Sequence, residues 1–355
     1  MAAAGKGEEA AQKLKSRLAA TALRRLGLRH VSTDTLTIRR QRKGDGYRFI
    51  SERGRTVRDE ITRARLKRLA VPPAYEDVLY AADPRAHIQA IGRDAAGRLQ
   101  YRYHPEWEKV RERRKAKRLQ RLVEALPRIR RAVNKHLGLA EPTREFALAA
   151  VIELVSCSAI RPGSESYAKA NGTRGAATLH KSNITVTGAT VALKFRAKGG
   201  KAVEKEFRCP RVASALNVLV GLPGRRLFQY RAEDGVRFVT ASDVNAFLRE
   251  IAGVNISLKD FRTLCASAAA LEALAHMAPA TSERGRRRQV KEAVTAVSEE
   301  LANTPTICRK SYVHQTVVAA FENGKLAKFS EILKRRRSPA HREQLLAQVV
   351  ASMAA

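Results

Sequence analysis

Hydrophobic and polar positions alternate in short runs over residues 31–104 and then give way to a helical period. In the first stretch, residues 35–42 and 47–50 flank Lys43-Gly44-Asp45-Gly46, a hairpin signal, and residues 88–93 and 98–103 flank Asp94-Ala95-Ala96-Gly97. Asp opens such a turn through its side-chain oxygen, and Gly supplies the positive φ. A charged stretch, residues 56–69, has helical character and stops at Pro72-Pro73. From Pro105 onward the pattern is mainly helical, with later helices at about residues 241–252, 258–277, 285–301 and 312–323. One interruption has period two: residues 178–186, 189–197 and 203–208, with Thr187-Gly188 and Gly199-Gly200 at the bends. These patterns predict an α+β protein: a small antiparallel-sheet domain over residues 31–105, then a mainly helical domain with an embedded three-stranded sheet over 106–345. Residues 1–30 read as an Ala- and Arg-rich helical extension and 346–355 as a C-terminal tail, with residues 105–115 as the hinge of a two-domain clamp.

Charge narrows the partner. The 355 residues carry 68 Lys and Arg against 34 Asp and Glu, a formal net charge of +34. So large an excess calls for a polyanion, and nucleic acid fits basic runs such as Arg111 to Arg121, whereas Lys334 to Arg337 read as a solvated tail. No run of about 18 apolar residues offers a membrane span, and the N-terminus lacks the apolar core of a secretory signal. A cytoplasmic, nucleoid-associated protein is expected. The four cysteines, Cys157, Cys209, Cys265 and Cys308, form no CxxC pair and have no neighbouring histidines. They read as buried, reduced thiols, with no metal site and no cofactor.

Cleaving a phosphodiester without a metal requires cations that the protein itself places around the non-bridging oxygens, and the planar fork of arginine suits that task. Arg161, in Arg161-x-Gly163-x-Glu165-x-Tyr167, and Arg262, in Lys259-Asp260-Phe261-Arg262, are two such residues. They stand in an ordered series. Asn171-x-Thr173-x-Gly175-x-x-Thr178-Leu179 follows the first motif, Lys198 lies at the last bend of the sheet, and Asn303-Thr304-Pro305 and Arg309-Lys310-Ser311-Tyr312 come after the second. This series, together with residues 88–94 and 97–104, resembles the poxvirus-like and bacterial type IB DNA topoisomerases over residues 31–340.

The resemblance implies an enzyme that relaxes supercoiled double-stranded DNA by transient single-strand cleavage, without ATP or metal, acting as a monomer. It implies Tyr312 as the nucleophile that forms a 3′-phosphotyrosyl intermediate and Arg161 and Arg262 as phosphate-binding residues. Lys198 corresponds to the general acid for the departing 5′-oxygen, and Lys259 to a lysine that assists it. Asn303 stands where the poxvirus enzymes have histidine; an amide cannot shuttle protons, so a neutral hydrogen bond to a non-bridging oxygen is expected. Gln100, Tyr101 and Tyr103 match a DNA-contacting hairpin and Tyr167 a further groove contact. Alternation places Tyr101 and Tyr103 on one face of a strand, where packing into the domain core is the competing role. His314 is a lesser proton acceptor. Two rivals remain: a tyrosine recombinase with similar Arg, Lys and Tyr chemistry, and a non-enzymatic basic nucleoid protein in which Tyr312 merely packs a helix.

Overall fold

In the computed structural model, the described residues are Thr21, 23–139, 141–335 and 339–352. They fall into two compact units divided between Arg114 and Lys115. The expected extension lies outside them up to residue 20, as do Arg336 and Arg337 of the last basic cluster.

The first unit is built on one antiparallel sheet. Strands β1 (Ile38–Lys43) and β2 (Gly46–Ile50) form the first hairpin, followed by helix α1 (Glu60–Arg68), β3 (Glu76–Tyr80), β4 (Ile88–Arg93) and β5 (Leu99–Tyr103). The order is β2-β1-β3-β4-β5, so the two expected hairpins flank a central strand that alternation did not reveal. The reason is local: Asp77 has φ of 48° and the β3–β4 register slips between Glu76 and Leu79. A bulge breaks the period of two on which recognition of a strand depends. Leu66 of α1 closes a core of Ile38, Phe49, Val78, Tyr80 and Ala90. Asp94 opens the β4–β5 turn as expected, accepting from Ala96 N–H and Arg98 N–H, while Gly97 has φ of 70°.

The second unit surrounds a helix with no polar face. Helix α2 (Pro105–Gly138) runs into it, and α3 (Arg144–Ser158) is buried continuously from Phe146 to Val155, as a core helix must be when it is apolar all round. Helix α4 (Glu165–Asn171) follows, then the three-stranded sheet β6 (Ile184–Thr187), β7 (Thr190–Arg196) and β8 (Ala202–Arg208) in order β6-β7-β8. Val191, Leu193, Phe195 and Val203 turn one face of that sheet into the core. After α5 (Pro210–Val220) comes a hairpin missed in the sequence, β9 (Gln229–Ala232) and β10 (Gly235–Phe238). Each strand has only four residues, too short a run to stand out, and the apolar residues of β10, Val236 and Phe238, are exposed.

The remaining helices are α6 (Ala241–Ala252), α7 (Leu258–Ala275), α8 (Glu283–Glu300), α9 (Pro305–Ser311), α10 (Gln315–Glu322), α11 (Ala327–Arg335) and α12 (Pro339–Ser352). Two expectations are corrected here. Residues 346–352, expected to lie in a tail, belong instead to α12, where Leu346, Val349 and Val350 are buried in the core. The helix expected over 312–323 is interrupted, because Tyr312 ends α9 and His314 caps α10. No helix among the described residues is long and apolar enough to cross a membrane.

Candidate active site

Arg161 reaches its position through a contact of backbone against backbone. Helix α3 ends at Ala159, which takes the left-handed φ of 53°, and the chain then runs extended beside residues 175–177. Ala176 N–H donates to Arg161 O at 2.8 Å and Ala177 N–H to Pro162 O at 2.9 Å. The approach is so close that a Cβ on Gly175 would lie 2.6 Å from Gly163 Cα and 2.7 Å from Arg161 O. Gly163 itself has φ of 90°. Both glycines of this region are therefore set by geometry, one by positive φ and one by the absence of room.

Asn303 meets Arg161 from the other side. Helix α8 ends in a Schellman motif: Ala302, at φ of 49°, donates to Glu299 O at 3.0 Å, and Asn303 N–H donates to Ser298 O at 2.9 Å. Thr304 then caps α9, with Pro305 at its first position. Between these two helix ends Asn303 Oδ1 accepts a hydrogen bond from the Arg161 guanidinium. An acceptor is required there, since arginine only donates. Asn303 Nδ2 is buried without a hydrogen-bond partner.

Arg262 is 1% exposed, the largest fully buried side chain among the described residues. It donates to Ala159 O and, at 3.0 Å, to Leu301 O, tying the ends of α3 and α8 to α7; its Nε has no partner. The guanidinium lies over the Tyr312 ring, 4.8 Å from the centroid. Burial pushes its pKa below the ordinary arginine value; Tyr312 opposes that shift and the charge of Arg161 adds to it. Arg161, Arg262 and Lys205 line a cavity of about 20 Å³ with Leu301 and Ala302, room for roughly one water.

Tyr312 sits in the break between α9 and α10, 8% exposed. Two interactions hold its backbone. Its N–H donates to Cys308 O at 2.9 Å, and its carbonyl accepts from Ser267 Oγ at 3.0 Å. The same Ser267 oxygen accepts from His314 N–H at 3.0 Å. Ser267, a lone hydroxyl in the small-residue run Ala266-Ser267-Ala268 of α7, was not legible as a site residue, because its task is to receive a chain segment 45 residues away. Lys205 was missed for the same reason. On β8 it alternates like any strand lysine, yet its ammonium donates to Ser158 O at 2.6 Å and Glu300 O at 3.0 Å beside the two arginines. Burial pushes its pKa down.

The structure does not gather every expected residue at Tyr312. Lys198, exposed on the β7–β8 turn, holds its ammonium 4.9 Å from the centroid of the Tyr167 ring. Both glycines after it have positive φ, 79° and 73°. Tyr167 is anchored through its helix, since Glu165 is bidentate with Arg226 at 2.6 and 3.0 Å. Lys259 is exposed one turn before Arg262 on α7. Arg309 points to Gln315 Oε1. His314 Nδ1 accepts from Thr316 N–H at 3.2 Å, so its proton is on Nε2 and the ring has no free lone pair for a second one. Burial, then Lys115 and Arg309, push its pKa down to about 4.

In the first unit, Tyr101 and Tyr103 do share a face of β5, stacked at 5.9 Å with 12° between planes. Their surroundings differ. Tyr103 packs on buried side chains of the unit and carries Arg111 4.6 Å above its ring, whereas Tyr101 is 40% exposed. Gln100 Nε2 is engaged by Asp94 at 2.9 Å. Arg98, by hydrogen bonding, holds the Asp94 carboxyl at about 2.

A buried arginine against a tyrosine ring, with a second arginine bonded to an asparagine, makes this a cationic site. Comparison with known proteins assigns the class. Residues 104–338 match the family described as eukaryotic DNA topoisomerase I, catalytic core, and residues 46–94 match the bacterial DNA topoisomerase IB N-terminal domain. The chain belongs to the type IB DNA topoisomerases, and is an isomerase that acts on DNA. A relative in Acanthamoeba polyphaga mimivirus, DNA topoisomerase 1B, is 28% identical over 297 residues, covering 81% of this chain and 88% of the viral one. Among solved structures, the XerH site-specific recombinase bound to difH substrate in a pre-cleavage complex has a TM-score of 0.33 at 13% identity, over 54% of this chain and 49% of the recombinase. That likeness is too slight to carry an argument.

Proposed function

We propose that this chain, as a monomer on duplex DNA in the cytoplasmic nucleoid, relaxes supercoils through Tyr312. The phenolic oxygen, releasing its proton to water, attacks the scissile phosphorus, a 3′-phosphotyrosyl ester forms as the bond from phosphorus to the 5′-oxygen breaks, and that oxygen leaves as a hydroxyl with a proton from Lys198. The free end rotates about the intact strand, and the reverse attack by the 5′-hydroxyl reseals it. One phosphoester is exchanged for another, so no step consumes ATP. The cations that a metal would otherwise supply come from Arg161 and Arg262.

The observation that carries this reading is a pair of unpartnered buried donors, Arg262 Nε on the arginine that faces the tyrosine and Asn303 Nδ2 on the amide bonded to Arg161. A buried donor left unpaired costs about 1–3 kcal/mol, and two in one site fit a place prepared for an anion's oxygens. Arg262 spends two of its N–H groups on Ala159 O and Leu301 O, which fixes the guanidinium while its Nε stays available for phosphate. Asn303, with its oxygen turned to Arg161, offers only its N–H₂. Lys198 acts after its glycine-rich turn carries it from Tyr167 to the leaving oxygen.

The test is relaxation of supercoiled plasmid in EDTA without ATP, with denaturant trapping of the covalent adduct. The wild-type chain relaxes DNA and forms the adduct; Tyr312→Phe still binds DNA but does neither. An adduct that survives in Tyr312→Phe, or relaxation that requires added Mg²⁺ or ATP, refutes the proposal.

A further inference from the structure

Two of the four cysteines, 52 residues apart in sequence, come together. Cys157 lies in the last turn of α3 and Cys209 caps the start of α5, with their sulfurs 2.7 Å apart. The expectation of four buried thiols is corrected: Cys157 is exposed and Cys265 half-buried, while Cys209 and Cys308 are buried. We propose that Cys157 and Cys209 are a peroxide-oxidisable dithiol that closes to an intramolecular disulfide.

The geometry favours oxidation over metal binding. Glu153 stands close enough to both sulfurs to complete a three-ligand group. Its Oε1, however, is taken by Arg211, at 2.8 Å from Nε and 2.6 Å from a terminal nitrogen. Two thiolates on one tetrahedral zinc, each about 2.3 Å from the ion, would stand about 3.8 Å apart. The observed separation is shorter than that and approaches the bonded distance of about 2.05 Å. Reactivity follows from placement. The hydrogen bond from Cys157, and then the Val212 N–H at the start of α5, hold the Cys209 thiol down at about 7 against its burial. The same pairing pushes Cys157 up.

In the first step the Cys209 thiolate attacks hydrogen peroxide. An S–O bond forms, the O–O bond breaks, and hydroxide leaves and takes a proton to become water. Cys157 sulfur then attacks the Cys209 sulfenic acid. The S–S bond forms, the S–O bond breaks, and the hydroxyl leaves with the Cys157 proton as a second water. The two thiols have lost two electrons to the peroxide. The bridge pins the turn that carries Ala159 and Arg161 to the start of α5, and a thiol reductant reverses it.

The experiment uses the full chain, exposed to hydrogen peroxide, quenched, denatured and alkylated, with thiols counted by mass spectrometry. The expected result is loss of two alkylatable thiols and of two hydrogen masses, a linked pair of peptides containing Cys157 and Cys209, and recovery of four thiols after dithiothreitol. Cys265 and Cys308 stay alkylatable. In Cys157→Ser no bridge forms and Cys209 is trapped as a sulfenic acid by dimedone; Cys209→Ser likewise forms no bridge. Four thiols after peroxide, a bridge between two chains, or a bridge that persists in either variant overturns the proposal. So does equimolar zinc that stays bound through gel filtration and abolishes the peroxide reaction.

Discussion

Replacing Gly175 by alanine tests whether Arg161 is held by the backbone packing around it. Gly175 has φ of −157° and ψ of 177°, an extended conformation open to any residue, so the substitution introduces no dihedral strain. Its effect is steric alone. The new Cβ would lie 2.5 Å from Gly163 N, 2.6 Å from Gly163 Cα and 2.7 Å from Arg161 O, where ordinary contact begins at 3.4 Å. These are backbone atoms, so no side chain can rotate away, and the 161–163 segment must retreat by about 0.7–0.9 Å. Overpacking of this kind costs about 1–3 kcal/mol of stability, and a displacement near 1 Å of a catalytic group costs about 10²-fold in rate. Gly188→Ala is the control: φ is 58° and nothing lies within 4 Å, so it costs about 1–2 kcal/mol in backbone strain at a turn away from Arg161. The assay is single-turnover cleavage of a duplex oligonucleotide, with DNA binding and urea unfolding measured on the same preparations. Gly175→Ala slows cleavage about 10²-fold while Gly188→Ala, destabilised to a similar degree, cleaves at the parent rate. Equal rates in the two variants would refute the reasoning.

Lys198→Ala cleaves ordinary DNA very slowly but recovers when the 5′-bridging oxygen is sulfur, a leaving group that needs no acid, and Arg161→Ala does not recover; equal sulfur responses in single-turnover cleavage would reduce Lys198 to a phosphate contact. Asn303→Ala slows cleavage by about one to three orders of magnitude, the scale of one lost transition-state donor, and loss as complete as in Tyr312→Phe would mean a larger role. His314, 3% exposed, has its folded pKa lowered from 6.5 to about 4, so its contribution to stability is complete above pH 6.5 and is lost as the unfolded chain takes up a proton between 6.5 and 4. At pH 5 that loss is about 2 kcal/mol. His314→Asn, which can still cap α10, removes it, so parallel urea-unfolding curves of parent and variant between pH 7.5 and 5 would contradict the assignment.

Local chemistry was enough for the parts of this protein whose interactions are local. Turn residues placed both flanking hairpins of the first sheet and the bends of the second, because Asp94, Gly97, Gly188, Gly199 and Gly200 act within a few residues of themselves. The α+β class followed from the change of period near Pro105, and the residues proposed for phosphate chemistry were chosen from type, order and a family resemblance. What lay beyond the sequence depends on partners far along the chain or on broken periods. The bulge at Asp77 hid β3, and the four-residue length of β9 and β10 hid their hairpin. Only tertiary structure turns Asn303 Oδ1 to Arg161, puts Arg262 beneath Tyr312, assigns Ser267 to the backbone on both sides of the tyrosine, and brings Cys157 to Cys209. The same is true of Lys198, whose position on a glycine turn was legible while its resting place on Tyr167 was not. Composition and spacing specify which groups are available. Which donors are left unpaired is decided by three-dimensional packing, since a hydrogen bond is satisfied in space and leaves no mark in sequence order.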